Sequence, residues 1–204
     1  MARWQPDAKG RLQEAAMELF VRQGLEETTV AQIAERAGLN KRTFFRHFPD
    51  KRDVLFSGQQ ALEELYTKTI AEAPDVSVPM AAVAPAVVAA GEIVDRLGEQ
   101  GRQRQRLIAA NPALQEREAI KRVAVAATIR EALCRRGVPD PVAALTAEAA
   151  VGVFKVAYAR WGGDESRTMA DVVRETIAHL DRATATHPTE PAAGPARRAA
   201  RSGR

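Results

Sequence analysis

Apolar residues near the start of the chain recur at helical spacing: Leu12, Ala15, Ala16, Leu19 and Phe20 fall at i, i+3, i+4, i+7 and i+8. That is the stripe a helix turns toward a core. The spacing predicts a first helix that opens after Pro6 and closes at Gly24, with proline at the entrance and glycine at the exit. Thr29 and Gln32 stand at capping-box spacing, and Val30, Ile33, Ala34 and Ala37 supply the next stripe before Gly38. A second helix of about two turns follows from these signals. Beyond the turn Gly38-Leu39-Asn40, the Asn40 side chain caps a third short helix, Lys41 to Phe48, which Pro49 stops. Asp50 and Asp53 open a fourth, with Leu55, Leu62, Leu65 and Thr69 along one side.

Pro74 and Pro79 break the chain after Ala71. The uncharged run Val76 to Gly91 then predicts a helix from Met80 to Leu97, apolar on all sides and therefore expected in the middle of a bundle. Gly98 and Gly101 separate it from a segment Arg102 to Ala110. Asn111-Pro112 gives an N-cap and a first-position proline for a long helix ending at Arg135, Arg136 and Gly137. Pro139 and Pro141 open the next, to about Trp161, and Asp164 to Ser166 open the last, which ends near Ala185. No stretch shows sustained period-two alternation with β-branched enrichment. The pattern predicts an all-α chain of nine helices in two domains: a helix-turn-helix three-helix unit over residues 1–50 and a helical bundle over 51–185. Residues 186–204, rich in Pro, Ala, Gly and Arg without an apolar stripe, are expected to form a disordered basic tail.

Composition narrows the class. The 204 residues, 46% hydrophobic and 27% charged, suffice for a buried core and do not resemble a disordered chain. The single cysteine, Cys134, forms no intramolecular disulfide and supplies no four-ligand zinc site, which suits a reducing cytoplasm. The longest uncharged run is too short to cross a bilayer, and the N-terminus has no apolar signal-peptide core. A cytoplasmic, nucleoid-associated protein with no membrane partner is the expectation. The net charge of +4 is unevenly spread: Lys41, Arg42, Arg46, Lys51 and Arg52 face only Asp50 between residues 40 and 52. Such a focused basic element suggests one anionic contact, although a run of this kind also serves as a solvated face. His47, His179 and His187 lie in different segments, Glu175 and His179 lack the paired spacing of di-iron bundles, and no phosphate-binding glycine loop occurs. No enzyme activity, no metal site and no cofactor are therefore expected.

The three short helices satisfy the demands of a helix-turn-helix: a tight turn, and a third helix packed inside and polar outside for the major groove. Phe44 and Phe48, at i and i+4, pack inward, while Lys41, Arg42 and Thr43 supply donors. The stretch TTVAQIAERAGLNKRTFFRHFPDKRDVL resembles the DNA-binding signature of the TetR family of bacterial transcriptional regulators. The resemblance runs from about Leu12 to Leu55 and includes Ala15, Ala16, Leu19, Phe20, Gly24, Thr28, Thr29, Ile33, Ala34, Ala37, Gly38, Thr43, Phe45, His47, Phe48 and Lys51. Arg42 stands where a small residue is frequent and Phe45 where tyrosine is frequent, so a tyrosine hydroxyl's phosphate bond is absent. The resemblance implies that Lys41, Arg42 and Thr43 reach base edges, and that Thr29, Arg46, His47 and Lys51 hold phosphates, with Phe45 completing the candidate set. His47 also reads as a helix-packing histidine, and Phe45 as a core aromatic.

For the later helices the resemblance implies a ligand-binding and dimerisation domain. The phrase RQRLIAANPALQERE, with Leu133 and RRGVPDP, is similar to a subset of the family whose sensor is described as acyl-CoA-like ligand binding. Candidate pocket residues are Leu62, Leu65, Tyr66, Val87, Gly91, Val94, Arg106 and Val123, although the same small residues also make an ordinary core. Apolar stripes on the last two helices, Ala149, Val153, Val156 and Ala157 with Val172, Val173, Thr176, Ile177 and Leu180, predict a dimer face, and Gly152 suits close helix approach. The expected function is a DNA-binding transcriptional regulator: a homodimeric repressor on a palindromic operator, released by a small hydrophobic or acyl-type ligand that tilts the fourth helix. Two alternatives stay open: a helical protein-interaction module, and a constitutive DNA binder without an effector.

Overall fold

The computed structural model describes residues 7–163 and 166–185. Among these residues the chain is all-α, without a strand. Its elements are α1 (Ala8–Gln23), α2 (Val30–Arg36), α3 (Lys41–His47), a 3₁₀ turn (Asp53–Phe56), α4 (Gln59–Glu72), α5 (Pro79–Leu97), α6 (Glu99–Ala110), α7 (Pro112–Arg135), α8 (Asp140–Gly162) and α9 (Met169–Thr184). The expected tail, 186–204, lies outside the described residues.

Local chemistry sets the boundaries. Asp7, Thr29, Asn40, Asn111 and Thr168 each cap the helix that follows with a side-chain oxygen that accepts a first-turn amide. At Thr29 the box is complete, because Gln32 Oε1 accepts the Thr29 amide at 2.8 Å in return. Gly38 turns the chain between α2 and α3 at a φ of +64°, a left-handed conformation that a side chain would oppose. The fourth helix begins later than its acids suggest. Asp50 caps the 3₁₀ turn, accepting the amides of Arg52 at 2.7 Å and Asp53 at 2.9 Å, and α4 starts only at Gln59.

Two cores hold the molecule. In the first, Leu12, Ala16, Leu19 and Phe20 of α1 meet Ile33 of α2, Phe44 of α3, Phe48, and Val54, Leu55 and Phe56 of the 3₁₀ turn. Ile108 of α6 and Leu114 of α7 close this core from the other half of the chain. The second core joins α4, α5, α7, α8 and α9 around Tyr66, Ile70, Val83, Val87, Ile129, Leu133, Ala150, Trp161, Met169 and Val173.

The α5 helix does not occupy the bundle centre expected of it. One face, Ala82, Val83, Ala86, Val87, Ala90 and Gly91, is buried, but Ala81 and Pro85 are exposed. Its outer side forms an open groove of about 670 Å³ with Ile177 and Asp181 of α9. An alanine-rich helix exposes little apolar area per residue, so leaving one side uncovered costs little. The α5–α9 contact is close. A Cβ on Gly91 would meet the Ala170 backbone at 3.1 Å, and Asp95 accepts the Met169 and Ala170 amides at 2.6 and 3.0 Å. By length and composition α8 could cross a membrane. Its inner residues, including Ala143, Ala147, Ala150, Val153, Ala157 and Trp161, are built into the protein core. On its outer side Leu145 is 73% exposed and Val156 50%, in register with Ala149 and Gly152 at helical spacing.

Candidate nucleic-acid interface

The short helix α3 is held by its inner face. Phe44 and Phe48 are fully buried, with ring centroids 5.5 Å apart, and burying such a side chain is worth roughly 1.5–3 kcal/mol. That anchorage fixes which residues point away. Lys41, Arg42, Phe45 and Arg46 are exposed, whereas Thr43 and His47 are half-buried. Asn40, Arg42, Thr43, Phe45 and Arg46 together line an open depression. Phe45 is therefore not a core aromatic: its ring is 56% exposed and meets Phe44 edge-on at 5.5 Å. An exposed apolar ring among cations is suited to a nonpolar feature of a base edge, such as the thymine methyl group. Arg46 lies 3.5 Å from His47 Nε2, so the two share one edge of the helix.

Thr29 stands at the mouth of α2, exposed but engaged in its capping box. Lys51 is more deeply committed than a free phosphate contact. Its ammonium donates to the carbonyls of Glu26 and Thr28, both at 2.9 Å, and ties the segment after α3 to the turn before α2. The Glu26 carboxylate also stands 4.0 Å from the ammonium. The structure thus brings Lys41, Arg42, Thr43, Phe45, Arg46 and His47 onto one short helix, with Thr29 and Lys51 anchoring the turn beside it. Asn40, a cap by its spacing, also lines the depression.

The expected pocket residues do not converge on one cavity. Leu62, Tyr66, Val87 and Val94 belong to the second core, and Leu65 is half-buried. Burial alone pushes the Tyr66 phenol above its ordinary value. Gly91 packs on α9. Val123 is 69% exposed on α7, and the exposed Arg106 pairs with Glu99 at 3.1 Å. Three buried side-chain atoms among the described residues, Arg52 Nε, Gln59 Oε1 and Trp161 Nε1, lack a hydrogen-bond partner, and they lie on different elements. No group of His, Cys, Asp and Glu among the described residues is placed to hold a metal ion.

The expected dimer stripe is largely consumed within the protomer. Val153, Ala157, Val172, Val173 and Thr176 are buried in its own core, and Ala149, Ile177 and Leu180 are half-buried. Only Val156 of that set is exposed. The uncovered apolar surface is rotated around α8, to Val142, Leu145, Ala149, Gly152 and Val156. Around Gly152, a Cβ would find nothing within 4 Å.

Comparisons with known proteins bear on the family and the fold. The profile of the bacterial regulatory proteins of the tetR family matches residues 12–57, and that of the MftR C-terminal domain matches residues 77–185. The regulator TcmR of Streptomyces glaucescens is 38% identical over 78 residues, which cover 38% of this chain and 34% of TcmR. The chain therefore matches about a third of that relative's length. Among solved structures, the repressor FadR of Thermus thermophilus in complex with lauroyl-CoA superposes with a TM-score of 0.59 at 22% identity, covering 91% of this chain and all of FadR. NalD of Pseudomonas aeruginosa, the secondary repressor of a multidrug efflux pump, gives 0.60 at 18% identity, covering 87% of this chain and 97% of NalD. The relatives are transcriptional regulators and the neighbours share the fold. With its N-terminal segment and more than half its length in the two profiles, the chain belongs to the TetR family of bacterial transcriptional regulators.

Proposed function

We propose that the protein is a homodimeric repressor in the cytoplasm, associated with the nucleoid, that binds a palindromic operator and leaves it when a small hydrophobic or acyl-type ligand binds. The observation that carries the reading is α3, locked by Phe44 and Phe48 while Lys41, Arg42, Phe45 and Arg46 stand outward. Two such helices across a two-fold axis suit two half-sites. The stripe Leu145, Ala149, Gly152 and Val156 supports a second copy as its cover, since it is apolar, exposed at Leu145 and Val156, and open at Gly152. The lauroyl-CoA bound to the FadR neighbour favours an acyl-type ligand.

The test is selection of bound duplexes from a random-sequence pool, repeated with Lys41→Ala plus Arg42→Ala. A palindromic site recovered by the parent and lost by the double variant supports the proposal. No enrichment from a folded dimer transfers the helix-turn-helix to a protein partner. With a site in hand, acyl-CoA thioesters of graded chain length are titrated against the complex. Release at none of them favours a constitutive binder.

A further inference from the structure

The four residues after α3 and Pro49 form a junction between the two halves of the molecule. Lys51 grips the Glu26 and Thr28 carbonyls, and Arg52 donates to the Glu26 carboxylate at 3.0 Å. Both bonds reach the turn that ends in Thr29, the cap of α2. The preceding residue faces the opposite way. Asp50 receives a two-pronged guanidinium from Arg117 of α7, at 2.9 and 2.8 Å, across 67 positions of sequence. Asp53 adds to the site, 3.7 Å from Arg117 and 3.9 Å from Lys121. Partial burial works against the Asp50 charge, but the Arg117 fork and the Asp53 and Arg52 amides outweigh it and hold the carboxyl below its ordinary value.

By contrast, α4 packs on α5 and α7 rather than along the DNA-binding helices. Just before α4, Ser57 meets α1 twice, its carbonyl accepting from Lys9 at 3.2 Å and its hydroxyl from the Gln13 amide. The junction is instead held from the other half of the chain by the planar fork of Arg117 on α7, with Arg104 of α6 donating to the nearby Leu55 carbonyl at 2.6 Å.

Resting on the regulator reading above, we infer that Arg117 is a positioning residue: through Asp50 and the adjoining Lys51 it sets the placement of α2 and α3, and α7 is the route by which the sensor half governs operator affinity. A bidentate pair is suited to this role because it fixes orientation as well as distance, and a small displacement of α7 uncouples it. Both side chains are partly exposed, so the pair contributes geometry more than bulk stability.

A double-mutant cycle tests the assignment, using Arg117→Gln, Asp50→Asn, their combination, and Arg117→Lys, which keeps the charge but not the fork. Two readouts are taken on the full chain: affinity for the selected operator, and amide hydrogen exchange resolved by segment. Each single variant is expected to lower operator affinity by about tenfold, with the combination no worse than either alone. Exchange is expected to quicken over residues 26–29 and 41–47 while α8 and α9 keep their protection. Arg117→Lys should restore less than half of the loss on a logarithmic scale. Additive losses, or unchanged exchange in the DNA-binding helices, overturn the inference. If the parent selects no DNA, the regulator reading fails, and the exchange readout still decides whether the junction positions α2 and α3.

Discussion

Arg42 and Phe45 give the outer face of α3, the proposed DNA-facing surface, its individual character. Phe45 carries no hydroxyl for a phosphate, and its ring is open to solvent beside Arg42, Thr43 and Arg46. Phe45→Ala is expected to weaken the selected operator by about 1 kcal/mol, the scale of burying one methyl group, with little change in the denaturation midpoint because the ring is exposed. Replacing thymine by uracil at one operator position should reproduce most of the loss with the parent protein. Equal affinity for the uracil duplexes would remove the methyl contact. A second residue, Glu175, carries a pH-dependent contribution to stability. Hydrogen bonds from Arg160 at 2.9 Å and Arg167, with their charges, lower its carboxyl from 4.5 to about 2. A depressed carboxylate contributes stability that is fully present above its unfolded value and is lost as pH falls toward the folded one. Glu175→Gln should therefore be less stable than the parent at pH 6, and the gap should narrow between pH 4.5 and 2. A gap independent of pH in chemical denaturation would exclude Glu175 as its source.

Short-range signals are what made the elements legible. The Thr29–Gln32 box, the Asn40 cap and the apolar pair Phe44 and Phe48 each operate within a turn or two, so they stand in the sequence as they stand in the fold. Thr29→Ala removes the cap and is expected to cost about 0.5–2 kcal/mol in urea denaturation. Its effect on operator affinity should exceed that on stability if the α2 entrance also meets phosphate. Where periodicity failed, it failed for one reason: a stripe shows that a helix face is apolar, never what lies against it. The α5 helix was expected at a bundle centre and leaves Ala81 and Pro85 in solvent. Val153, Ala157, Val172 and Val173 were expected between two copies and lie inside one. The acids Asp50 and Asp53 suggested a helix start, but Asp50 caps a 3₁₀ turn and receives Arg117, a partner 67 residues away that no local pattern announces.

At the scale of the whole molecule, α7 contributes to both cores, Leu114 to the first and Ile129 and Leu133 to the second. A homodimer built on the outer α8 stripe is expected to fall to protomer mass with Leu145→Glu plus Val156→Glu in sedimentation. The protomer should keep its helicity because both side chains already face water. Operator affinity should fall more steeply still, since two linked heads bind with an effective concentration that one lacks. An unchanged mass would place the second copy on another surface. The shared wall around Ile108 and Leu114 bears on protein engineering. These residues of α6 and α7 complete the core of the DNA-binding helices, so the head is not a detachable cassette. Swapping residues 1–57 between regulators to redirect a biosensor would transplant half of an interlocked joint. The hybrids that work should be those that carry matching residues at 108, 114 and 117 along with the new head.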